Sequence, residues 1–392
     1  MPPERASSRG PLLALFLVVF VSMTGFGIVI PIVPFFGAHL DASATQITYA
    51  IGAYSLGQFI AAPLWGRLSD RFGRRPILIA TLALTAVFYV VLAQAETIDE
   101  IGVTRFLTGL VAGNIAAAFA AGADLSTDQT RARTMGVLGA GVGLGFIVGP
   151  AIGGLVAGAD PAQVDFARVA YIAAAIAGVS ALVALAVLPE TRPADAPRRV
   201  GGIPPFWTRP RLFALVAVTL ITLTAQALME SSFGLWSEKE LAWGPPQLGA
   251  TFAVLGLVTA ALQGGAMGRL SKRFGEARLL VGGLLVYAAG FGFLVFAHTP
   301  VHTVAAMALL ALGGGVVSPS LQSLVSREAS AEERGAVLGV QQSASSLGRV
   351  FGPLAAGPVF DALGHNAPFG LGAILMLAAA AIAFSATREP RA

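Results

Sequence analysis

The chain has 392 residues, of which 55% are hydrophobic and only 12% are charged. So few charges cannot cover the surface of soluble domains of this total length, which excludes a soluble protein and indicates a protein with many membrane spans. The absence of cysteine excludes disulfides and thiolate chemistry, and the four histidines are too scattered to form a metal site, so we expect no bound metal.

The net charge of +4 is compatible with two interpretations. It could indicate nucleic-acid binding, but basic residues in a membrane protein more often report topology, so we predict no nucleic-acid partner. Arg5 and Arg9 precede the first apolar stretch, which begins like a signal peptide. That stretch is too long and lacks a small-residue cleavage site, so we predict a retained first transmembrane helix.

Charge and Gly/Pro punctuation divide the chain into twelve apolar segments that match the thickness of a bilayer. Numbered 1 to 12, they span residues 12–36, 46–66, 76–94, 99–123, 135–157, 166–188, 211–236, 248–268, 278–297, 302–325, 335–357 and 368–386. The longest connection, residues 189–210, is rich in Pro and Arg and separates six segments from six. We therefore predict an all-α membrane protein with two six-helix bundles, 1–188 and 211–392, joined by a linker.

The distribution of basic residues predicts the orientation of these segments. Of the 25 Lys and Arg residues, only Arg105, Arg168, Lys239 and Arg349 lie away from the face that carries the two termini. Cytoplasmic loops carry such an excess, so we expect both termini and the linker to be cytoplasmic. The preference for Arg over Lys and the abundance of Ala and Gly suggest a bacterial gene. We expect a monomer in the lipid bilayer of a bacterial inner membrane.

The most charged stretch is residues 66–75, GRLSDRFGRR, which we call the charged turn. It cannot lie in hydrocarbon, so it must form a tight aqueous connection between segments 2 and 3. Its glycines allow the turn and its acid can pair with neighbouring arginines, which favours a latch that engages the other half in one conformation. A topological anchor is the alternative, but an anchor needs no acid. The latch residues are Gly66, Asp70, Arg71, Gly73, Arg74 and Asp124.

The second half repeats features of the first. Shifting the sequence by 202 residues aligns residues 268–275 with 66–73, and seven of the eight positions are identical. The Gly-Pro pair at 149–150 in segment 5 also has a counterpart, the pair at 352–353 in segment 11. A parallel duplication of this kind is typical of transporters with a central site between the halves.

Together these features resemble the major facilitator superfamily, and within it the bacterial drug:proton antiporters with twelve helices. The charged turn matches the family's signature for this loop at Gly66, Leu68, Ser69, Asp70, Arg71, Gly73, Arg74 and Arg75. The resemblance implies alternating access around a central cavity. No P-loop occurs, so ATP is not the energy source, and we expect the proton gradient to supply the energy without a cofactor.

Two further motifs of these antiporters have counterparts. The resemblance implies that the glycine-rich end of segment 5 favours exchange over uniport, although generic helix packing would also explain the small residues. That motif comprises Gly145, Gly149, Pro150, Gly153 and Gly154. Arg105 in segment 4, followed by Gly109, matches a motif whose arginine assists proton coupling. A lone arginine in the bilayer is costly unless it snorkels to the outer interface, which is the alternative here.

Two other charges lie inside segments of the second half. Glu230 is the only carboxylate well inside any segment, and Arg349 lies near the middle of segment 11. Their depths differ by about five residues, or roughly 7 Å of helical rise, so adjacent helices would let them meet. Glu230 could carry the coupling proton, with Arg349 linking protonation to conformation. A permanent structural salt bridge is an equal alternative.

Polar and aromatic residues that lipid contact does not explain are candidates for the wall of a substrate cavity. Amides orient varied ligands and aromatic rings supply apolar contact, although each residue could instead hold two helices together. The candidates are Tyr54, Gln58, Phe59, Asn114, Gln226, Phe233, Trp236, Gln263, Gln322, Gln341 and Gln342.

Among these antiporters, the tetracycline exporters are similar in residues 124–127, in residues 131–133 and in the glycines and prolines of 25–34. Those exporters place acids in segments 1 and 3, where this chain has Ser22 and Phe88. A cationic tetracycline–metal chelate is therefore not expected, and we predict efflux of other small amphipathic molecules. The alternatives are a facilitator or exporter of a sugar or an amino acid, and a sensor or lipid-handling protein. None of these is an enzyme.

Overall fold

The structure is a computed structural model that describes residues 9–126, 130–158, 160, 164–191, 206–330 and 333–388. Most of the linker, Thr127 and the side chains of residues 131–133 therefore lie outside the described part. The helices are α1 (Arg9–Val29), α2 (Val33–His39), α3 (Ala44–Phe72), α4 (Arg74–Leu92), α5 (Ile98–Val111), α6 (Ile115–Asp124), α7 (Arg131–Val156), α8 (Phe166–Val187), α9 (Pro210–Leu241), α10 (Pro245–Ala261), α11 (Met267–Phe274), α12 (Glu276–Val295), α13 (Pro300–Arg327), α14 (Arg334–Leu363) and α15 (Ala367–Arg388).

Each predicted segment corresponds to one helical path, and three of these paths are broken. Segment 1 comprises α1 and α2, segment 4 is α5 and α6 around a 3₁₀ turn at Ala112–Asn114, and segment 8 is α10 and α11 around a π-helical turn at Leu262–Ala266. Nine paths in the described chain are long and apolar enough to cross a membrane. The other three are α3, which contains the first seven residues of the charged turn, α5 with α6, which contains Arg105, and α14, which contains Arg349.

Successive paths run antiparallel, so alternate connections lie at the same end of the molecule. We call the end with the charged turn, the start of α1 and the end of α15 the basic end, and the other the opposite end. The two repeated turns at the basic end depend on glycine, because Gly73 has φ of 102° and Gly275 has φ of 77°. These values lie in the region that L side chains rarely adopt, which explains why both copies keep this residue.

Each half is built around a glycine-rich helix that packs tightly on the first helix of that half. A Cβ atom at Gly149 of α7 would lie 2.7 Å from the carbonyl oxygen of Thr24 in α1. At the equivalent position of the second half, a Cβ atom at Gly352 of α14 would lie 2.6 Å from the carbonyl oxygen of Thr224 in α9. Only glycine permits either approach, so the duplicated Gly-Pro pairs mark equivalent helix contacts.

The same two helices also join the halves, toward the opposite end. In the first contact α7 meets α10, where a Cβ atom at Gly154 would lie 3.1 Å from the Cα atom of Gly249. In the second, α14 meets α3, where a Cβ atom at Gly52 would lie 2.9 Å from the Cβ atom of Pro353. The two contacts are related by the internal duplication and bring the halves together away from the basic end.

One polar contact strengthens the second of these junctions. Thr45, in the first turn of α3, donates from its backbone nitrogen and its Oγ1 to Asp361 Oδ2 of α14, over 2.9 Å and 2.6 Å. The carboxylate thereby caps a free amide at the positive end of a helix in the other half. One turn earlier on α14, Gly357 lies against Thr45 and Thr48. We call the Thr45–Asp361 contact the opposite-end lock.

Candidate functional site

Arg74 is the centre of the charged turn. Its Nη1 lies 2.6 Å from Asp70 Oδ1, and its Nε lies 3.1 Å from Asp124 Oδ2 at the end of α6. Nη1 also donates to Ser69 Oγ over 2.6 Å, while the Arg71 guanidinium lies over the ring of Phe72. Because these contacts of Arg74 join α3, α4 and α6 of one half, engagement of the other half by a latch stays a prediction.

Sequence reasoning missed Glu190, which completes this turn. Its carboxylate accepts hydrogen bonds from the backbone nitrogens of Arg74 and Arg75, over 2.9 Å and 3.2 Å, at the positive end of α4. A Cβ atom at Gly73 would meet only the end of this flexible side chain, which can shift, so the glycine is needed chiefly for its backbone angle. The position of an acid just after segment 6 was the only sequence signal.

The second copy of the turn contains an equivalent ion pair with the charges reversed. Glu276, which aligns with Arg74, has its Oε2 2.7 Å from Nη2 of Arg327 at the end of α13. Its other oxygen accepts a hydrogen bond from Ser323 over 2.8 Å. In the first half the turn supplies the cation and Asp124 supplies the acid, whereas in the second half the order is exchanged. With either placement of the charges, the ion pair joins the turn to the equivalent helical path of its half, which is segment 4 in the first half and segment 10 in the second.

A cavity lies between the halves and is lined by α1, α3, α9, α14 and the turn that follows α1. Its walls are mostly apolar, with one acid, one base and two serine hydroxyls as polar groups. The lining residues are Phe26, Ile30, Ile51, Ser55, Ala227, Glu230, Ser231, Arg349 and Pro353. The enclosed space is about 20 Å³, roughly the room that one water molecule needs, so an amphipathic ligand would bind here only when the halves move apart.

Glu230 and Arg349 meet in this cavity, as their depths in the sequence predict. Arg349 Nη1 lies 4.0 Å from Glu230 Oε2, and the two side chains are 28% and 17% exposed. Gln226, one turn earlier on α9, donates from Nε2 to Glu230 Oε1 over 2.8 Å. The acid therefore has one charged and one neutral partner and remains partly accessible. Whether it carries a proton stays a prediction.

Arg105 is fully buried, which contradicts the alternative that it snorkels to an interface. Its guanidinium carbon lies 4.7 Å from the ring centroid of Tyr54 and 5.5 Å from that of Phe26. Within the described part of the chain, its Nε and Nη1 atoms have no hydrogen-bond partner. Aromatic faces attract a cation but leave its donors unused. The structure thus holds a buried arginine between two rings.

Three rings connect this arginine to the other cation of the site. The ring of Tyr54 packs on Phe26 with centroids 4.6 Å apart, and Phe26 packs edge-on against Phe146 at 5.5 Å. The Arg349 guanidinium lies over Phe146, 5.4 Å from its centroid. Neither phenylalanine was a sequence candidate, because an aromatic residue inside an apolar segment gives no signal that separates a cavity wall from a helix contact.

Several predicted wall residues lie away from this cavity because they find partners within their own half. Asn114 is buried and donates to Thr81 Oγ1 over 3.0 Å. Trp236 is fully buried and donates from Nε1 to Asn366 Oδ1 over 2.7 Å, with the ring of Phe233 stacked on it. In this conformation these three residues form the interior of their halves, and a role in the cavity wall stays a prediction.

Most of the other candidates are also absent from the cavity lining. Gln58 donates to the carbonyl oxygen of Ala112, and Gln341 donates to Thr219 Oγ1 over 3.5 Å, so both join neighbouring helices as the alternative proposed. Four other candidates are partly or fully exposed and are not among the lining residues: Phe59, Gln263, Gln322 and Gln342. Among the predicted wall residues, Gln226 has a hydrogen bond to Glu230 in the cavity.

The antiporter motif lies along α7 and faces both halves. A Cβ atom at Gly145 would lie 2.7 Å from a carbonyl oxygen of α1, and one at Gly153 would collide with Ile28. Gly154 faces α10 of the other half, and Pro150 lies inside the helix between the two contacts. A tilt of α7 would therefore change helix contacts in both halves. A role in exchange stays a prediction.

The sequence and fold have clear relatives. The sequence profile described as Major Facilitator Superfamily matches residues 15–265 and 212–392. The class G tetracycline resistance protein of Vibrio anguillarum is 32% identical over 358 residues, which cover 88% of this chain and 89% of that protein. Multidrug resistance protein 1 of Bacillus subtilis strain 168 is 28% identical, with 90% of each chain covered. A solved inward-facing, occupied bacterial homolog of the human lysosomal transporter Spinster superposes with a TM-score of 0.83 at 16% identity, covering 96% of each chain. The chain therefore belongs to the major facilitator superfamily.

Proposed function

We propose that this protein exports small amphipathic molecules or drugs across a bacterial inner membrane in exchange for protons. The resistance proteins of Vibrio anguillarum and Bacillus subtilis, similar over most of their length, support efflux. The observation that carries proton coupling is the position of Glu230 beside Arg349 in a mostly apolar cavity between the halves. The energy source is the proton gradient, and no cofactor takes part.

Protonation of Glu230 would act on the contact between the halves. A proton removes the negative charge that faces Arg349, and Arg349 belongs to α14, which also packs on α3. Two unit charges 4.0 Å apart attract by about 4 kcal/mol at an effective dielectric constant of 20. Loss of even about a third of this would change the ratio of two conformations tenfold. Proton binding can therefore shift which end is open.

The closed opposite end gives the cycle a direction. We propose that the basic end faces the cytoplasm, so that the structure corresponds to an inward-facing state. Substrate would then enter the cavity from the cytoplasm or inner leaflet, and the opposite end would open to release it and admit a proton to Glu230. The Asp70 carboxylate is 67% exposed and would engage the other half when the basic end closes.

Inverted membrane vesicles with an acidic lumen test this function. We expect amphipathic compounds to accumulate in the lumen and to release protons, which a pH-sensitive dye detects. Glu230→Gln should abolish proton release, because a neutral amide cannot exchange a proton. Glu238→Gln is the matched control, since it removes an acid from the same helix outside the cavity lining.

Two results would contradict the proposal. Proton-driven accumulation that persists in Glu230→Gln would show that this acid is not the proton carrier. Substrate movement in the wild type that ignores the gradient would favour a facilitator of the same fold.

A further inference from the structure

We infer that the second copy of the charged turn binds the headgroup of an anionic phospholipid in the leaflet at the basic end. We call residues 268–278, which begin in α11 and end in the first turn of α12, the second turn. Three features support this site: an excess of basic residues, a position at the depth of the headgroups, and an exposed ring beside the charges. A lipid site also explains why this copy has Lys272 where the first copy has Asp70.

The second turn has an excess of positive charge that the first copy lacks. In the first copy three acids, Asp70, Asp124 and Glu190, contact the turn and offset its four arginines. The second turn has a single acid, Glu276, and it pairs with Arg327 from outside the turn. The basic residues of the second turn are exposed and have no ion pair within the described part of the chain: Arg269, Lys272, Arg273 and Arg278.

The length of the preceding helical path places the second turn among the lipid headgroups. The path Pro245–Phe274 has 30 residues, and at 1.5 Å per residue it is about 45 Å long. A bilayer is about 30 Å thick in its hydrocarbon core and about 40–45 Å thick with its headgroups. The path therefore crosses the whole bilayer and ends at the level of the phosphate groups. With 29 residues, α3 reaches the same depth at the first copy, so the two copies differ in charge and not in position.

The short helix α11 has the pattern of a helix at a membrane surface. Its apolar residues Met267, Leu270 and Phe274 recur at positions i, i+3 and i+7, and its three basic residues lie between them. Phe274 is 44% exposed, and the guanidinium carbon of Arg273 lies 5.2 Å from the centroid of its ring. A guanidinium held on a ring still has planar donors that match a phosphate.

Charge and ring together fit a phospholipid. Clusters of about four basic residues at the end of a membrane span attract anionic headgroups. A soluble phosphate would pair with these residues but would leave the ring of Phe274 without a contact. A phospholipid supplies both the phosphate and the apolar chains, so it is the occupant that satisfies the whole surface.

Native mass spectrometry of the full-length protein, released from a neutral detergent, tests this site. The protein is titrated with dioleoyl phosphatidylglycerol, which is anionic, or with dioleoyl phosphatidylcholine, which has the same chains and no net charge. Each basic residue near a headgroup contributes about fivefold to anionic-lipid binding, so phosphatidylglycerol should bind at least about tenfold more tightly. Arg269→Gln with Arg273→Gln should lower this ratio by about tenfold or more. Phe274→Ala should weaken both lipids alike, because the ring carries no charge.

The first copy supplies a matched control, since Arg67 and Arg71 align with Arg269 and Arg273 and are likewise exposed. Arg67→Gln with Arg71→Gln should change the ratio by less than about twofold, because acids already offset that turn. If the double variant of the second turn does not fold, Lys272→Asp, which copies the first turn, should by itself lower the ratio by about tenfold.

Four results would overturn the inference. The first is equal affinity of the wild type for the two lipids, and the second is an equal loss in the two double variants. The third is displacement of phosphatidylglycerol by glycerol phosphate at the same concentration, which would identify a soluble anion as the ligand. The fourth is a dimer that forms without lipid and dissociates in the double variant of the second turn, which would identify a second copy of the chain as the occupant.

Discussion

Loss of the opposite-end lock should open the molecule at that end. Asp361 of α14 receives two hydrogen bonds from Thr45 of α3, and these are polar contacts between the two halves. We expect Asp361→Ala to remove both and to leave the glycine contacts beside them in place. The population with an open opposite end should rise, since that conformation does not contain the lock.

The size of the effect follows from the chemistry of the contact. A hydrogen bond to a charged group contributes about 1.5–3 kcal/mol, and exposure of this carboxylate to solvent places the pair near the lower limit. A change of about 1.5 kcal/mol raises the open-to-closed ratio roughly tenfold. Asp361→Asn should have a smaller effect, because an amide oxygen can still accept but lacks the charge.

The absence of native cysteine makes the measurement direct. Ser55 lines the central cavity and is buried, so a Ser55→Cys variant should react with an impermeant maleimide from the opposite end only when that end is open. We expect Asp361→Ala to raise the labelling rate about tenfold. Asp99→Ala is the control, because it removes an exposed acid from the same end on α5, which packs within its own half.

Equal labelling rates in Asp361→Ala and the wild type would refute the lock. The same increase in Asp99→Ala would show that surface charge, and not the contact between the halves, controls the opening.

Three further results are expected. At equal expression, Asp70→Asn should impair vesicle transport far more than Lys272→Asn, because only the first removes an acid that bonds Arg74; equal effects would reduce the charged turn to a topological anchor. Arg74→Glu should disrupt transport, and adding Asp124→Arg should recover part of it by recreating the reversed pair of the second half; no recovery in the double variant would contradict the equivalence of the two pairs. Hydrogen bonds from the Arg209 guanidinium hold the pKa of Glu333 below its usual range. The stabilising effect of the Arg209–Glu333 pair is therefore present above the ordinary carboxyl pKa and is lost as pH falls through the lowered pKa of Glu333. Melting temperatures of wild type and Glu333→Gln should therefore differ at neutral pH and converge in acid, and a constant difference would argue against the ion pair.

Much of the fold was predictable because it depends on local properties of the chain. Twelve apolar segments, the repeated turn and the duplicated Gly-Pro pairs were visible as composition and spacing, and each has a helical or turn counterpart. The meeting of Glu230 and Arg349 was predictable as well, since their depths in the membrane differ by only about five residues. Depth follows from counting residues along a helix.

The wall of the cavity was predicted less well. Polarity alone could not separate Trp236, whose nitrogen bonds Asn366 inside its own half, from Gln226, which touches the acid in the cavity. Phe26 gave no signal in an apolar segment, yet it lines the cavity and lies against Arg105. A side chain of either kind has the same sequence signature whether its neighbour is a helix or an empty space.

The sequence by itself determined that this is a membrane transporter of two duplicated halves, because hydrophobic length, charge placement and internal repetition are written along the chain. Only the tertiary structure decided that Arg105 is buried between rings with Nε and Nη1 unbonded among the described residues, that Glu190 caps α4, and that the halves close at the opposite end. These features depend on which helices lie side by side and how they are rotated, and a charge is paired or unpaired only with respect to such neighbours.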